Sequence, residues 1–175
     1  MNLQTALKEQ FHASLAMLAE CVEKCPDDLW ISGEYPRYFW RIALHSAFFT
    51  NAYLYQDEAS YRPWPARTEG IYEQMWADPA KVEPYELPDG VPVMGQSEVL
   101  RYILYVDSLV DDAIDGMDLD TIDSGLSWYE DMSKLSNVLM ALRHNEGHVG
   151  QLSELLMMRN IDVTWVHRSN GRSAG

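Results

Sequence analysis

The chain has 175 residues, 47% of them hydrophobic, and a formal charge of −14 at pH 7; that length suits one compact core and is short for two. So acidic a balance, with no cluster of Lys and Arg to override it locally, repels a phosphate backbone and argues against nucleic acid as a partner. No run approaches the roughly 18 apolar residues of a membrane span, and "MNLQTALKEQFHASLAMLAE" lacks the unbroken apolar stretch of a signal peptide, so a soluble, cytoplasmic protein with no membrane partner is expected.

In chain order, Leu3, Leu7, Phe11, Leu15, Leu18 and Val22 form the stripe of a first helix, which must stop near Cys25 because Pro26 follows. Cys21 and Cys25, the only cysteines, sit four apart on that helix, where they are poorly oriented for a disulfide and read as buried free thiols. A second helix is expected from just after Pro36 to about Gln56, since Phe39, Ile42, Phe49, Ala52 and Tyr53 recur at three and four. Residues 58–95 hold six of the eight prolines (Pro63, Pro65, Pro79, Pro84, Pro88, Pro92), which leaves room only for a short helix near "TEGIYEQMW".

A third helix follows, with Ser97 as N-cap and Leu100, Ile103, Leu104, Val106 and Val110 along it to near Gly116. Beyond the acidic turn "MDLDTIDSG", Ser127 and Glu130 have the spacing of a capping box, and the longest helix begins at Trp128 or at Ser133. No segment alternates at period two. The expected fold is therefore all-α, a four-helix bundle whose long Pro-rich crossover sets helices two and three parallel. Residues 1–166 are expected to form the single domain and 167–175 a flexible tail.

Five histidines occur in the chain, and three of them sit where imidazoles are out of place. In "RHNEGHVGQLSELL", His144 and His148 lie one turn apart and about 40° around the helix, close enough to chelate one ion. The zinc-protease pattern HExxH is excluded, because Asn145 stands where its glutamate would and Glu146 falls about 180° away. His45, in "FWRIALHSAFF", lies among Leu44, Ala47, Phe48 and Phe49 with no polar company. Each histidine alone reads more readily as structural; together, three imidazoles aimed into one interior are costly unless a metal satisfies them. His12 and His167 read as packing or surface residues.

"PRYFWRIALHSAFFTNAYL" and "LRHNEGHVGQLSELL", in that order and separated by a long acidic, proline-rich stretch, resemble the DinB-like (DinB/YfiT) superfamily of metalloenzymes over roughly residues 5–160. The resemblance implies a four-helix bundle that binds a divalent metal through His45, His144 and His148, with Gly150 and Gln151 matching the positions after the last ligand. Gly147 departs from relatives that carry a larger side chain there.

Three histidine ligands leave a coordination position for a water, a thiolate or a substrate oxygen, the arrangement of catalytic rather than structural zinc sites. Nitrogen ligation suits a divalent transition metal such as zinc, nickel or iron. The leading expectation, drawn from the resemblance, is a thiol-dependent transferase or detoxification enzyme whose partner is a low-molecular-weight thiol and a small-molecule substrate. Arg41, one turn before His45, would meet an anionic group of the cosubstrate, Arg37 and Arg143 border the same end, and Trp40, Trp128 and Tyr129 would wall the pocket. The alternatives are a metal-dependent hydrolase and a non-catalytic metal-binding bundle of a stress response. The apolar run Leu152, Leu155, Leu156, Met157 and Met158 exceeds one helical face, which raises the expectation of a homodimer.

Overall fold

Asn2 starts the first helix, its Oδ1 accepting from Thr5 N at 2.8 Å, and α1 (Leu3–Lys24) runs from there until Cys25 turns extended ahead of Pro26. The computed structural model describes residues 2–76 and 87–171, and among these it is all-helical with no strand. After α1 come a single turn, α2 (Asp27–Trp30), and then α3 (Phe39–Tyr53), α4 (Gln96–Gly116) and α5 (Lys134–Met157). The short helix expected near residue 70 is a 3-10 turn, Tyr72–Trp76. Pro79 and Pro84 of the crossover lie outside the described residues.

The long helices pack where their apolar faces predict. α1 lies against α4 and α5, and α3 against α5 and α4. Side-chain pairs set their directions: Asn51 meets Tyr102 and Gln56 meets Asp118, so α3 and α4 run the same way. His45 meets His144 while Lys134 reaches Tyr55, so α5 runs against α3. α4 buries one stripe, Val99, Tyr102, Ile103, Val106, Val110 and Ile114, as an amphipathic helix should. α3 differs: every residue except His45 is fully buried. A helix enclosed on all sides has no solvent face on which to park a polar side chain, so each polar residue on it must find a partner.

Three boundaries differ from the sequence expectation, and at two of them a distant group intervenes. The second long helix ends at Tyr53 rather than Gln56, and the Gln56 side chain instead accepts from Asp118 N at 2.9 Å. The N-cap of α4 is Gly95, with no side-chain cap, not Ser97. Ser127 and Glu130 form no capping box: the Ser127 N–H is taken by the Glu58 carboxylate, and α5 starts at Lys134 behind Ser133, which accepts from Ser136 N at 3.2 Å. Gly125 makes this loop's close approach possible. Its φ is +77°, and a Cβ there would collide with the backbone of Gln56 and Asp57, so only glycine fits.

Lys134 pins the same junction from inside. Fully buried, its ammonium donates to Tyr55 O at 2.5 Å and Ser124 O at 2.9 Å. Burial pushes its pKa down to about 8, the direction expected of a cation taken out of water.

Beyond α5 the chain lies along α1 as an irregular strap. Lys24 donates to Asp162 O at 2.8 Å, Gln10 to His167 O at 3.1 Å, and Ser169 N to Glu9 O at 3.2 Å. The strap thus continues past residue 166 as far as Gly171, which sits over the His12 ring; residues 172–175 lie outside the described ones. No described helix is long and apolar enough to cross a membrane.

Candidate metal centre

The helices that carry the three histidines are brought together by their apolar neighbours. Leu44, Ala47, Phe48 and Phe49 on α3 and Ala141, Val149 and Leu152 on α5 are all buried, and the two helices pack on one another. His45, His144 and His148 meet in the seam, half-buried. His144 Nε2 lies 3.1 Å from His45 Nε2 and 3.1 Å from His148 Nε2. Ring centroids are 4.5–5.1 Å apart across the three pairs. One ligand atom from each lies within 4.8 Å of the others, the sole such group of His, Cys, Asp or Glu among the described residues.

This arrangement fits a cation better than it fits hydrogen bonding. His148 Nδ1 lies 2.8 Å from Gln151 Oε1, and an amide oxygen only accepts, so Nδ1 carries the hydrogen and Nε2 is a bare lone pair. His144 Nε2 faces two other Nε2 atoms and has at most one proton to offer. An ion at the centre would use every lone pair at once. The spacing agrees: metal–nitrogen bonds of 2.0–2.1 Å in a tetrahedral set put neighbouring nitrogens about 3.3 Å apart.

The electrostatics keep two of these rings ready to ligate. Burial, and then the neighbouring His148, push the pKa of His144 down to about 4. For His148 burial is again the largest influence; the Gln151 hydrogen bond opposes it and the charge of Arg37 adds to it, with a net lowering. Both therefore stay neutral at neutral pH, the state a metal requires. Phe49 packs on His45 at 4.8 Å and on His144 at 6.0 Å, and Tyr53 closes on His144 at 6.2 Å. His144 Nδ1 makes no hydrogen bond to any described residue, so these rings and its sister histidines hold its orientation.

Of the residues expected to handle substrate, Arg41 is committed elsewhere. It is 3% exposed, its Nη1 donates to Leu87 O, and its Nη2 to Pro88 O at 2.6 Å. The rings of Tyr35, Trp40 and Tyr38 surround its guanidinium at 5.0–5.8 Å. Arg41 thus ties α3 to the end of the crossover, because a buried guanidinium seeks carbonyl oxygens wherever water is excluded. Trp40 is 2% exposed and part of the core. Trp128 is half-buried and packs on Tyr129 at 6.3 Å, Tyr129 on Tyr53 at 6.4 Å, and Tyr53 on His144. Arg37 and Arg143 are exposed; Arg37 is near enough for its charge to bear on His148.

Sequence reasoning missed the roles of Phe49 and Tyr53 as ring walls and of Gln151 as the acceptor that sets the His148 tautomer. The signal for Gln151 was present, since i and i+3 share a helix face. The remaining histidines stay apart from the cluster: His12 is buried against Asp107, and His167 is exposed. Cys21 and Cys25 are buried free thiols, and burial raises them to about 11 and about 12, which leaves them unreactive. No family model, curated protein or solved structure matches the chain.

Proposed function

We propose that the chain is a metal-dependent enzyme of DinB-like four-helix-bundle type, in which His45, His144 and His148 hold a divalent transition metal (zinc, nickel or iron) and a small-molecule thiol is the group activated. The observation that carries this reading is the convergence of three Nε2 atoms, with no carboxylate of the described residues in the group. A three-histidine set leaves room for a further ligand. The ion supplies Lewis acidity, which lowers the pKa of a thiol brought to it.

The protein's own groups do the rest. Gln151 orients His148, Phe49 and Tyr53 exclude water around the rings, and burial keeps His144 and His148 unprotonated. A thiol needs no carboxylate base once its pKa is lowered, whereas a hydrolase would want one beside the attacking water. Among the described residues no Asp or Glu stands in the histidine group, which favours the thiol over hydrolysis. Arg37, at the exposed edge, is the cation best placed to meet an anionic cosubstrate.

The test is a cobalt-loaded protein titrated with small thiols. Growth of a sulfur-to-metal charge-transfer band, lost in His144→Ala, is the expected result. Silence toward every thiol, together with chelator-sensitive cleavage of ester or amide substrates, would overturn the transferase reading in favour of a hydrolase. Silence in both assays with metal still bound would leave a non-catalytic metal-binding bundle.

A further inference from the structure

Behind the histidine cluster, three polar side chains from three helices meet in the dry interior. Ser14 on α1, Ser46 on α3 and Asn145 on α5 are 1%, 0% and 0% exposed. Asn145 Nδ2 donates to Ser14 Oγ at 2.6 Å, and Ser46 Oγ donates to Asn145 Oδ1 at 2.5 Å. A single carboxamide therefore links α1, α3 and α5, and its donor and acceptor ends are both satisfied.

The place of this bridge in the chain matters more than its burial. Ser46 follows His45 and Asn145 follows His144, so the bond between them is a second tie between the two backbone positions whose histidines meet at 3.1 Å. Sliding one helix by a residue moves its side chains about 1.5 Å along the axis and about 100° around it, enough to part the imidazoles. Apolar packing along the seam resists such slips weakly, because burial is non-directional. A hydrogen bond between buried groups resists them more sharply, since a shift of about an ångström or more breaks it and leaves both partners unsatisfied.

We propose that Asn145, with Ser46 and Ser14, is the positioning device of the metal centre. It holds α3 and α5 in the register at which His45 meets His144 and His148, and α1 is the fixed point on which both lean. This inference rests on the metal reading above. Asn145 and the two serines touch neither metal nor substrate; they act through the histidines beside them.

The decisive variant is the triple substitution Ser14→Ala, Ser46→Ala, Asn145→Leu. It removes every polar end together and so orphans none, which keeps the metal-free fold near wild-type stability. Cobalt affinity, measured by competition with a chromophoric chelator, is expected to fall about 10- to 100-fold, the usual range when outer groups that orient ligands are lost. The visible cobalt spectrum should shift with it. Ser46→Ala alone cuts only the α3 arm and should weaken cobalt binding in the same direction by less, a second reading that serves if the triple variant folds poorly.

Tyr102→Phe is the control. It breaks a buried hydrogen bond between α3 and α4, from Asn51 Nδ2 at 3.0 Å, and should lower thermal stability without changing cobalt affinity. Wild-type affinity and spectrum in the triple variant, or in Ser46→Ala if that is the one that folds, would overturn the positioning role and leave the metal reading standing. A wild-type chain that binds no cobalt, or a His144→Ala chain that binds it equally well, would remove both.

Discussion

Two seams between long helices carry histidines, and the company each keeps is opposite. Between α3 and α5, His45, His144 and His148 face one another and aromatic rings, and burial lowers the pKa of His144 and His148. Between α1 and α4, His12 is the more deeply buried, at 4% exposure, but its Nδ1 meets Asp107 Oδ1 at 2.7 Å and its Nε2 lies 3.6 Å from Asp111. There burial, the largest single influence, is outweighed by the hydrogen bonds and charges of the two aspartates, and the pKa of His12 is raised. Lys8, bonded to Asp115 at 2.9 Å and 3.6 Å from Asp111, extends that charged ladder to the surface. One residue type is thus held toward the neutral form in one seam, as a metal ligand would need, and toward the cation beside two aspartates in the other. What faces the ring decides which, not how deeply it lies.

The sharpest way to break this contrast is to exchange the two roles. His144→Ala should reduce metal content, read by elemental analysis of untagged protein, from near stoichiometric to background, whereas His12→Ala should leave it unchanged. Equal loss in both would mean that the α1–α4 seam contributes to metal binding and that the contrast is false.

Next in size, Asp107→Asn should destabilise the fold by about 1–3 kcal/mol in mildly acidic solution, the cost of removing the charged partner of a buried group. Chemical denaturation checks this, and a loss that does not diminish as pH rises from mildly acidic to alkaline solution would show that the charge of His12 is not involved.

Gln151→Leu should weaken metal binding about tenfold by freeing the His148 ring, with little effect on the melting temperature because Gln151 is exposed. A competition titration with a chelator measures it.

The smallest effect is one of sign. In metal-free protein, His144 has a folded pKa near 4 against an unfolded value near 6.5, so the unfolded chain binds more protons between those values and stability falls as pH drops through that window. For His12 the folded pKa is the higher one; its contribution is complete below about pH 6.5 and fades as pH rises through the folded value. Melting curves of His144→Ala and His12→Ala across pH should therefore both depart from wild type at the acidic end and in opposite directions: His144→Ala escapes the loss that wild type suffers there, and His12→Ala forgoes the stability that the ion pair adds there.

Much of the helical layout is legible in the residues, because an apolar stripe at spacing three and four needs only local geometry to be read. α1 and α4 lie almost where their stripes place them. His144 and His148 declare themselves by an i, i+4 spacing, and His45 by its apolar neighbours. The cap proposed at Ser127 went astray for the opposite reason. Ser127 has the right local pattern, but its N–H is claimed by Glu58, 69 residues away. Arg41 likewise looked free beside His45, and its carbonyl partners at Leu87 and Pro88 lie across the crossover. His12 looked like packing because Asp107 is 95 residues distant.

Periodicity and residue type were enough to specify an all-helical chain, the segments that form its long helices and the three imidazoles that belong together, since each of these depends on spacing along one helix or on a residue out of keeping with its neighbours. Which charges meet which rings, where Arg41 and Lys134 find their oxygens, and how Asn145 ties α3 to α5 follow from packing, because a buried polar group takes the nearest partner that the folded chain happens to bring within 3 Å or so of it.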